Sequence, residues 1–165
     1  MSTQETNFIA DGMLGKLSRW LRILGCDVQY IPDAPDGALL EAAEKSGRTL
    51  LTSDVQLNRL AAKQRIESYL VDGSSEAENL AKIARRFSVK LEVDLTATRC
   101  PLCNSPLREV PYESVEGRVP PASFRRYKQF WICRNSKCGK IYWQGSHWRK
   151  IEEILREAKK YSFQV

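Results

Sequence analysis

Short apolar runs alternate with longer amphipathic stretches along the first half of the chain, up to about Phe87. Four of these runs have the length of strands, and each is closed by an acid, a proline or a small polar residue: residues 7–10, 26–31, 49–52 and 68–71. Such alternation is typical of βαβ units and a mainly parallel sheet. The pattern therefore predicts an α/β domain built from four βα units.

Amphipathic spacing predicts the helices between these strands. In the first, four leucines recur at helical intervals and would face the sheet: Leu14, Leu17, Leu21 and Leu24. Three basic residues of the same helix would point away from the sheet: Lys16, Arg19 and Arg22. Gly25 would end this helix. Further helices are predicted over residues 38–44 and 57–63, from a capping box at 75–78 to about Phe87, and over 147–160.

The composition changes near residue 95, where cysteine, proline, aromatic and basic residues become frequent. A chain of 165 residues can hold one full hydrophobic core and one small accessory module. We therefore predict a first domain over residues 1–95 and a second unit over 96–165, which ends in the closing helix.

Overall composition is that of a soluble globular protein, with 42% hydrophobic and 28% charged residues. No apolar run approaches the roughly 20 residues of a spanning helix, and the first residues lack a secretory pattern, so we expect a cytoplasmic protein. The formal net charge of +6 favours a polyanionic partner such as RNA, DNA or acidic lipid, although mild basicity is common in proteins that bind none of these.

Four of the five cysteines are paired in the sequence, with two residues between Cys100 and Cys103 and four between Cys133 and Cys138. In a reducing compartment this spacing indicates a metal site rather than disulfides. Four thiolates favour a closed tetrahedral zinc site with a structural role. The alternative of four unrelated buried thiols fits the spacing poorly. Cys26 is expected to be a small buried hydrophobe.

Bases and aromatic residues interleave between the two cysteine pairs, over residues 124–131. Rings could stack on unpaired bases while Arg125, Arg126 and Lys128 meet phosphates, which would suit single-stranded RNA. Alternatively, the segment is a β-hairpin whose rings pack on the cysteine module and whose charges are only solvated. The sequence leaves both interpretations open.

Acids stand at the carboxyl ends of the predicted strands. Asp11, Asp54 and Asp72 each follow a strand, and Asp36 lies in the loop beyond another. Because the functional crevice of an open α/β sheet lies at this edge, the carboxylates could converge there and bind Mg²⁺ or Mn²⁺. Helix capping is the competing interpretation for each acid, and it weighs most for Asp36 and Asp72.

Three segments together resemble the Mut-seven C-terminal RNase family: residues 10–25, 48–54 and 141–148. The resemblance implies a PIN-like twisted parallel sheet flanked by helices, a small zinc ribbon behind it, and RNA as the substrate. Asp11, Asp54 and Asp36 would match the acidic motif positions, and Lys16 and Arg19 the basic positions of the first helix. Asp72 has no clear counterpart. The four residues inside the second cysteine pair exceed the usual two. His147 lies in a matching segment, but we expect a structural role for it.

The acids and the resemblance together predict a metal-dependent ribonuclease that cleaves RNA phosphodiesters with a metal-activated water, and the resemblance implies that the cut is endonucleolytic. The expected catalytic residues are Asp11, Asp36, Asp54 and Asp72, of which the first three would hold the Mg²⁺ or Mn²⁺. The expected substrate-binding residues are Lys16, Arg19, Arg125, Arg126 and Lys128. The RNA would be single-stranded or partly structured, and the protein could be a homodimer. A non-catalytic RNA-binding protein and a phosphohydrolase acting on small phosphate esters are the alternatives.

Overall fold

The four predicted strands form one parallel sheet in the computed structural model, which describes residues 6–163. The sheet has the order β2-β1-β3-β4, and its strands are β1 (Asn7–Ala10), β2 (Asp27–Tyr30), β3 (Thr49–Thr52) and β4 (Ser68–Leu70). Each predicted strand is confirmed to within one residue at either end. Four helices follow them in turn: α1 (Gly15–Ile23), α2 (Asp36–Ser46), α3 (Val55–Lys63) and α4 (Glu76–Phe87).

Helices cover both faces of this sheet. Phe8 and Leu51 face a core shared with α1 and α4, whereas Ile9 and Leu50 face a core shared with α2 and α3. Burial on both faces explains why the central strands are almost wholly apolar. The chain leaves β1 for β2 on one side and then crosses to β3 on the other, so the topology reverses between β1 and β3. Ligand sites in open α/β sheets lie at such a point.

One expectation about α1 is wrong. Arg22 does not point into solvent but is only 6% exposed, because its guanidinium donates three hydrogen bonds to two backbone carbonyls. Nε and Nη2 donate to the carbonyl of Val28 at 3.0 and 2.8 Å, and Nη1 donates to the carbonyl of Pro101 at 2.9 Å. A buried guanidinium is tolerated when its donors are satisfied in this way. Arg22 therefore connects the first domain to the first cysteine pair.

The cysteine-rich segment forms a three-stranded antiparallel sheet. It consists of β5 (Leu107–Val110), β6 (Phe130–Cys133) and β7 (Ile141–Tyr142), and a short helix, α5 (Pro121–Arg126), lies between β5 and β6. Its core is small: Val115, Val119, Phe130, Ile132 and Ile141. Because this core is so small, a metal bound by the cysteines would supply much of the folding free energy of the module.

The closing helix, α6 (Trp148–Ser162), returns to the first domain. Leu155 and Ala158 are buried in the core that α1 and α4 share with the sheet, and the predicted apolar side of Ile151, Ile154 and Leu155 is confirmed. The last helix of the chain therefore contributes to the core of the first domain. Within residues 6–163, no helix is both long enough and apolar enough to cross a membrane.

Candidate active site and thiol cluster

Asp11 and Asp54 follow the two central strands and are linked through one hydroxyl. Thr52, the last residue of β3, is fully buried; its Oγ1 donates to Oδ2 of Asp11 and accepts from the backbone N–H of Asp54 at 3.0 Å. The backbone N–H of Asp11 donates to the carbonyl of Leu51 at 3.1 Å, which extends the pairing of β1 and β3. The structure therefore brings these two predicted acids together at the switch point of the sheet.

Both acids also cap the segment that follows them. Oδ1 of Asp11 accepts from the N–H of Met13 at 2.9 Å, and Oδ1 of Asp54 accepts from the N–H groups of Gln56 and Leu57 at 2.8 and 3.2 Å. The capping that the sequence offered as an alternative is therefore present. It uses only Oδ1 of Asp54, and in the described part of the chain Oδ2 of Asp54 accepts no hydrogen bond, so this oxygen can still take a ligand.

Asp36 and Asp72 occupy different environments. Asp36 is the exposed first residue of α2, and the preceding Pro35 is the N-cap, so Asp36 makes no capping hydrogen bond. Asp72 is exposed after β4, and its Oδ1 accepts from Nζ of Lys82 at 3.0 Å. The N-cap of α4 is Ser75. Neither acid has the capping role, and their catalytic role remains a prediction.

The predicted capping box of α4 is confirmed in one of its two hydrogen bonds. Oγ of Ser75 accepts from the N–H of Glu78 at 3.1 Å, but Oε2 of Glu78 accepts from the N–H and hydroxyl of Ser74 instead of the N–H of Ser75. These donors hold the pKa of Glu78 well below its ordinary value, at about 2. Glu78 is therefore an anion at all ordinary pH values.

Lys16 and Arg19 are exposed on α1, on the side away from the sheet. Neither pairs with an acid within the range that the structure describes. Their charges are available for an anion, as substrate-binding residues require, and their contact with RNA stays a prediction.

The four paired cysteines converge, with their sulfur atoms all within 4.8 Å of one another. Sγ of Cys103 lies 3.3 Å from Sγ of Cys133, and Sγ of Cys100 lies 3.9 Å from Sγ of Cys138. Tetrahedral zinc with bonds near 2.3 Å would place its sulfurs about 3.8 Å apart. These separations suit a shared metal ion and are far too long for disulfides. The donor set and its spacing therefore fit a metal such as zinc.

Local geometry explains how four residues fit inside the second pair. The carbonyl of Asn135 accepts from the N–H groups of Cys138 and Gly139 at 3.0 and 2.9 Å, and Gly139 has a φ of +57°. The tight turn brings Cys138 back towards Cys133. The hydroxyl of Tyr142, on β7, lies 3.0 Å from Sγ of Cys100, within hydrogen-bonding distance, and such contacts orient metal ligands.

No comparable group of carboxylates exists among residues 6–163. There, the cysteines are the only set of three or more His, Cys, Asp or Glu residues whose ligand atoms cluster closely enough for a metal ion. A catalytic Mg²⁺ or Mn²⁺ held by Asp11, Asp36 and Asp54 therefore remains a prediction.

The cysteine module is fastened to the free edge of β2 by a residue that the sequence did not single out. Asn104 directly follows Cys103 of the thiol cluster and has a φ of +73°. Its Oδ1 accepts from the N–H of Val28 at 2.9 Å, and its Nδ2 donates to Oδ1 of Asp27 at 2.6 Å. Arg48 binds both oxygens of Asp27, at 2.9 and 3.0 Å. Burial alone would raise the pKa of Asp27, but the hydrogen bonds from Arg48 and Asn104 hold it below its ordinary value.

The rings of residues 124–131 are largely turned inward. Phe124 stacks on Tyr112 with 4.3 Å between centroids, while Phe130 and Trp131 are buried. Packing on the cysteine module therefore accounts for these rings, although the segment is a helix and a strand instead of a hairpin. The bases remain at the surface: Arg125, Arg126 and Lys128. Their contact with RNA remains a prediction.

The positive charge of the chain is concentrated in this module. Residues 96–147 contain nine Lys or Arg residues and three Asp or Glu residues, a net charge of +6 that equals that of the whole chain. The remaining residues are electrically balanced. A polyanion would therefore be attracted mainly to the cysteine module.

A family model described as the Mut7-C RNAse domain matches residues 6–155. The chain belongs to this family. The resemblance inferred from three segments is thereby confirmed, and the Mut7-C match includes the acids, the four cysteines and the start of α6. The description of this family is that of an RNase domain.

A human protein, "Exonuclease mut-7 homolog", is 33% identical to this Mut7-C chain over 99 residues. The aligned part covers 58% of this chain and 11% of that protein, so the chain spans only a small part of its relative. No solved structure matches the chain.

Proposed function

We propose that this Mut7-C chain is a metal-dependent ribonuclease with a PIN-like domain that cuts RNA internally. The supporting observation is the hydrogen-bonded series Asp11, Thr52 and Asp54 at the switch point of the sheet, in a chain of an RNase domain family. The thiol cluster suits a reducing compartment, which is why we place the protein in the cytoplasm. A homodimer remains a prediction, which sedimentation would test.

In the proposed site, Asp11, Asp54 and Asp36 would hold Mg²⁺ or Mn²⁺, since these ions prefer carboxylate oxygens. Asp54 fits this role because its Oδ2 lacks a hydrogen-bond partner in the described residues, and Asp36 fits because it is exposed and uncapped. When bound, the ion would supply an activated water and neutralise charge on the phosphodiester.

The rest of the chemistry falls to side chains of the chain. Thr52 fixes the orientation of Asp11, so that its carboxylate faces the same edge as Asp54. Lys16 and Arg19 would hold the phosphate. The cysteine module, with its net charge of +6, would attract the rest of the RNA towards the edge of the sheet that carries the acids. Asp72, held by Lys82, would add negative charge at the outer side of this edge.

The first experiment is an RNA cleavage assay with the zinc-replete protein and Mg²⁺ or Mn²⁺. We expect Asp11→Asn and Asp54→Asn to reduce cleavage of a labelled single-stranded RNA about a hundredfold or more, the scale on which loss of water activation acts. Glu41→Gln, which neutralises an exposed acid of α2 that pairs only with Lys45, is the control and should retain activity. Cleavage by both Asn variants at the wild-type rate would contradict the proposed site.

The position of the cut needs a second substrate, because the human relative is named an exonuclease. A covalently closed circular RNA has no end, so only an endonuclease opens it. We expect the wild type to open the circle. If the protein degrades linear RNA but does not open the circle, it is an exonuclease that uses the same site. Binding of RNA without cleavage under either metal ion would instead favour the non-catalytic alternative, which the charged module also suits.

A further inference from the structure

Two exposed apolar side chains flank the linked acids. Met13 lies two residues after Asp11 and is 80% exposed, and Val55 directly follows Asp54 and is 46% exposed. Most large apolar residues of the described chain are buried, and single exposed ones are ordinary on protein surfaces. Here, however, the two occur at the same edge of the sheet, one beside each acid. Their position therefore calls for a functional explanation.

The turn that carries Met13 is firmly held although its side chain is free. The N–H of Met13 donates to Oδ1 of Asp11 at 2.9 Å, and Oη of Tyr30 donates to the carbonyl of Gly12 at 2.7 Å. The turn also packs closely on the next loop, since a Cβ at Gly12 would lie 3.3 Å from the backbone nitrogen of Asp33. The side chain of Met13 is thus presented from a fixed backbone directly beside a candidate catalytic carboxylate.

The charges next to Met13 indicate what would bind there. Lys16 and Arg19 follow it at intervals of three residues on the exposed side of the chain, and neither has an acidic partner within residues 6–163. An occupant that is both anionic and apolar matches this row of side chains. Single-stranded RNA has both properties, because its bases expose flat apolar faces and its phosphates carry the charge.

We infer that Met13, with Val55 across the acids, binds an unpaired nucleobase adjacent to the scissile phosphate and thereby selects single-stranded RNA. The inference rests on the proposed ribonuclease function. The polarizable thioether of methionine packs well against aromatic faces, and its flexible chain accommodates any base. A base inside a duplex is already stacked on its neighbours and cannot make this contact.

The test measures RNA binding without cleavage, so that it does not depend on catalysis. The full zinc-replete chain carrying Asp54→Asn is titrated into a fluorescein-labelled single-stranded RNA of twelve nucleotides, and anisotropy is followed. Met13→Ala is compared with Met13→Leu, and Leu60→Ala serves as the control because Leu60 is exposed on α3 beyond its first turn. A matched series of RNAs lacks one base at each position in turn.

We expect Met13→Ala to weaken binding about tenfold, as for loss of one base contact, while Leu60→Ala binds normally. Met13→Leu keeps the apolar area but lacks the thioether, so it should weaken binding less than Met13→Ala. For the Asp54→Asn protein, removal of the base at one position of the RNA should weaken binding by a similar factor. For the protein that also carries Met13→Ala, removal of the same base should weaken binding no further, because both changes remove the same contact. Normal binding by Met13→Ala, or losses that multiply for every abasic position, would overturn the inference. Loss of self-association in that variant with normal RNA binding would show a protein contact instead, and would also overturn it.

These outcomes are separate from the fate of the proposed function. Absence of cleavage by the wild type would contradict the ribonuclease function, whereas the loss of Met13 and the loss of one base could still have the same, non-additive effect on RNA binding. Cleavage without this non-additivity would leave the ribonuclease function in place and show that Met13 does not bind a base.

Discussion

At the scale of single residues, the acidic edge depends on one buried hydroxyl. Thr52 donates to Asp11 and accepts from the backbone of Asp54, so it satisfies one group from each of the two segments that follow the central strands. A hydroxyl can do both because it carries a donor and acceptor lone pairs. Valine has the same shape but neither function. The geometry of the two acids therefore follows directly from the chemistry of residue 52.

We expect Thr52→Val to reduce both stability and cleavage. The free energy of unfolding should fall by about 1–3 kcal/mol, because a buried acceptor and an N–H lose their partner. The cleavage rate should fall by more than the decrease in the folded fraction explains, since the carboxylate of Asp11 is no longer oriented. Urea unfolding and the RNA assay, below the concentration at which the variant unfolds, measure the two effects. Thr52→Ser keeps the hydroxyl and should behave nearly as the wild type; equal activity of the Val and Ser variants would contradict the role of Thr52.

Cys26 gives a prediction about alkaline pH. Burial raises the pKa of its thiol to about 12, well above the value of about 8.5 for an unfolded cysteine. Between these pH values the unfolded chain has lost the proton and the folded chain has kept it, so stability falls as the pH rises. The loss should be on the order of 1 kcal/mol per pH unit.

The measurement for Cys26 is a comparison of slopes. Urea unfolding of the wild type and Cys26→Ala is followed from pH 8 to pH 10 with saturating zinc, so that the four ligand cysteines affect both proteins alike. We expect the stability of the wild type to decline more steeply with pH than that of the variant, whatever the offset between them. Parallel curves would show that the Cys26 thiol does not resist ionisation.

At the scale of elements, the sequence was most informative where a pattern repeats within one segment. The strands could be predicted because central parallel strands are buried on both faces and read as continuous apolar runs, such as Thr49–Thr52. The burial of Arg22 could not be predicted, because its hydrogen-bond partners are the carbonyls of Val28 and Pro101. The second partner lies 79 residues away along the chain, and no periodicity within α1 encodes it.

Helix α6 provides the prediction at this scale. Leu155 is buried in the core of the first domain, so Leu155→Ala should lower the free energy of unfolding by about 2–5 kcal/mol through loss of apolar burial and a cavity. Arg156→Ala, at an exposed position of the same helix, should change it by less than about 0.5 kcal/mol. Zinc content should remain unchanged in both variants. Zinc loss from Leu155→Ala while the sheet stays folded would contradict the assignment of α6 to the first core.

At the scale of the whole molecule, the two predicted units are joined by contacts that the sequence does not reveal. The convergence of four cysteines follows from ligand spacing, and the position of Asp11 and Asp54 follows from the edge rule for parallel sheets. Neither the ligand spacing nor the edge rule predicts the attachment of Asn104 to the edge of β2, since this contact needs a positive φ at Asn104 and a specific register between distant segments. Such long-range polar contacts are decided only when the chain is folded.

This attachment means that binding of a metal by the cysteines should stabilise the parallel sheet as well as the cysteine module. The N–H of Val28 faces outward from the edge strand and donates to Asn104, which directly follows Cys103 of the thiol cluster. Because metal binding supplies most of the folding free energy of such modules, chelation should release Asn104 and expose this N–H to water. We expect amide hydrogen exchange at Val28 to accelerate at least about tenfold on chelation.

Hydrogen exchange at two amides tests this coupling between the units. The N–H of Leu50 donates to the carbonyl of Glu67 in the interior of the sheet, so its exchange should change much less on chelation. Asn104→Ala should accelerate exchange at Val28 even with zinc bound, because the acceptor is gone while the four ligands remain. Unchanged exchange at Val28 after chelation would show that the module unfolds on its own, and the sheet would then owe none of its stability to the metal.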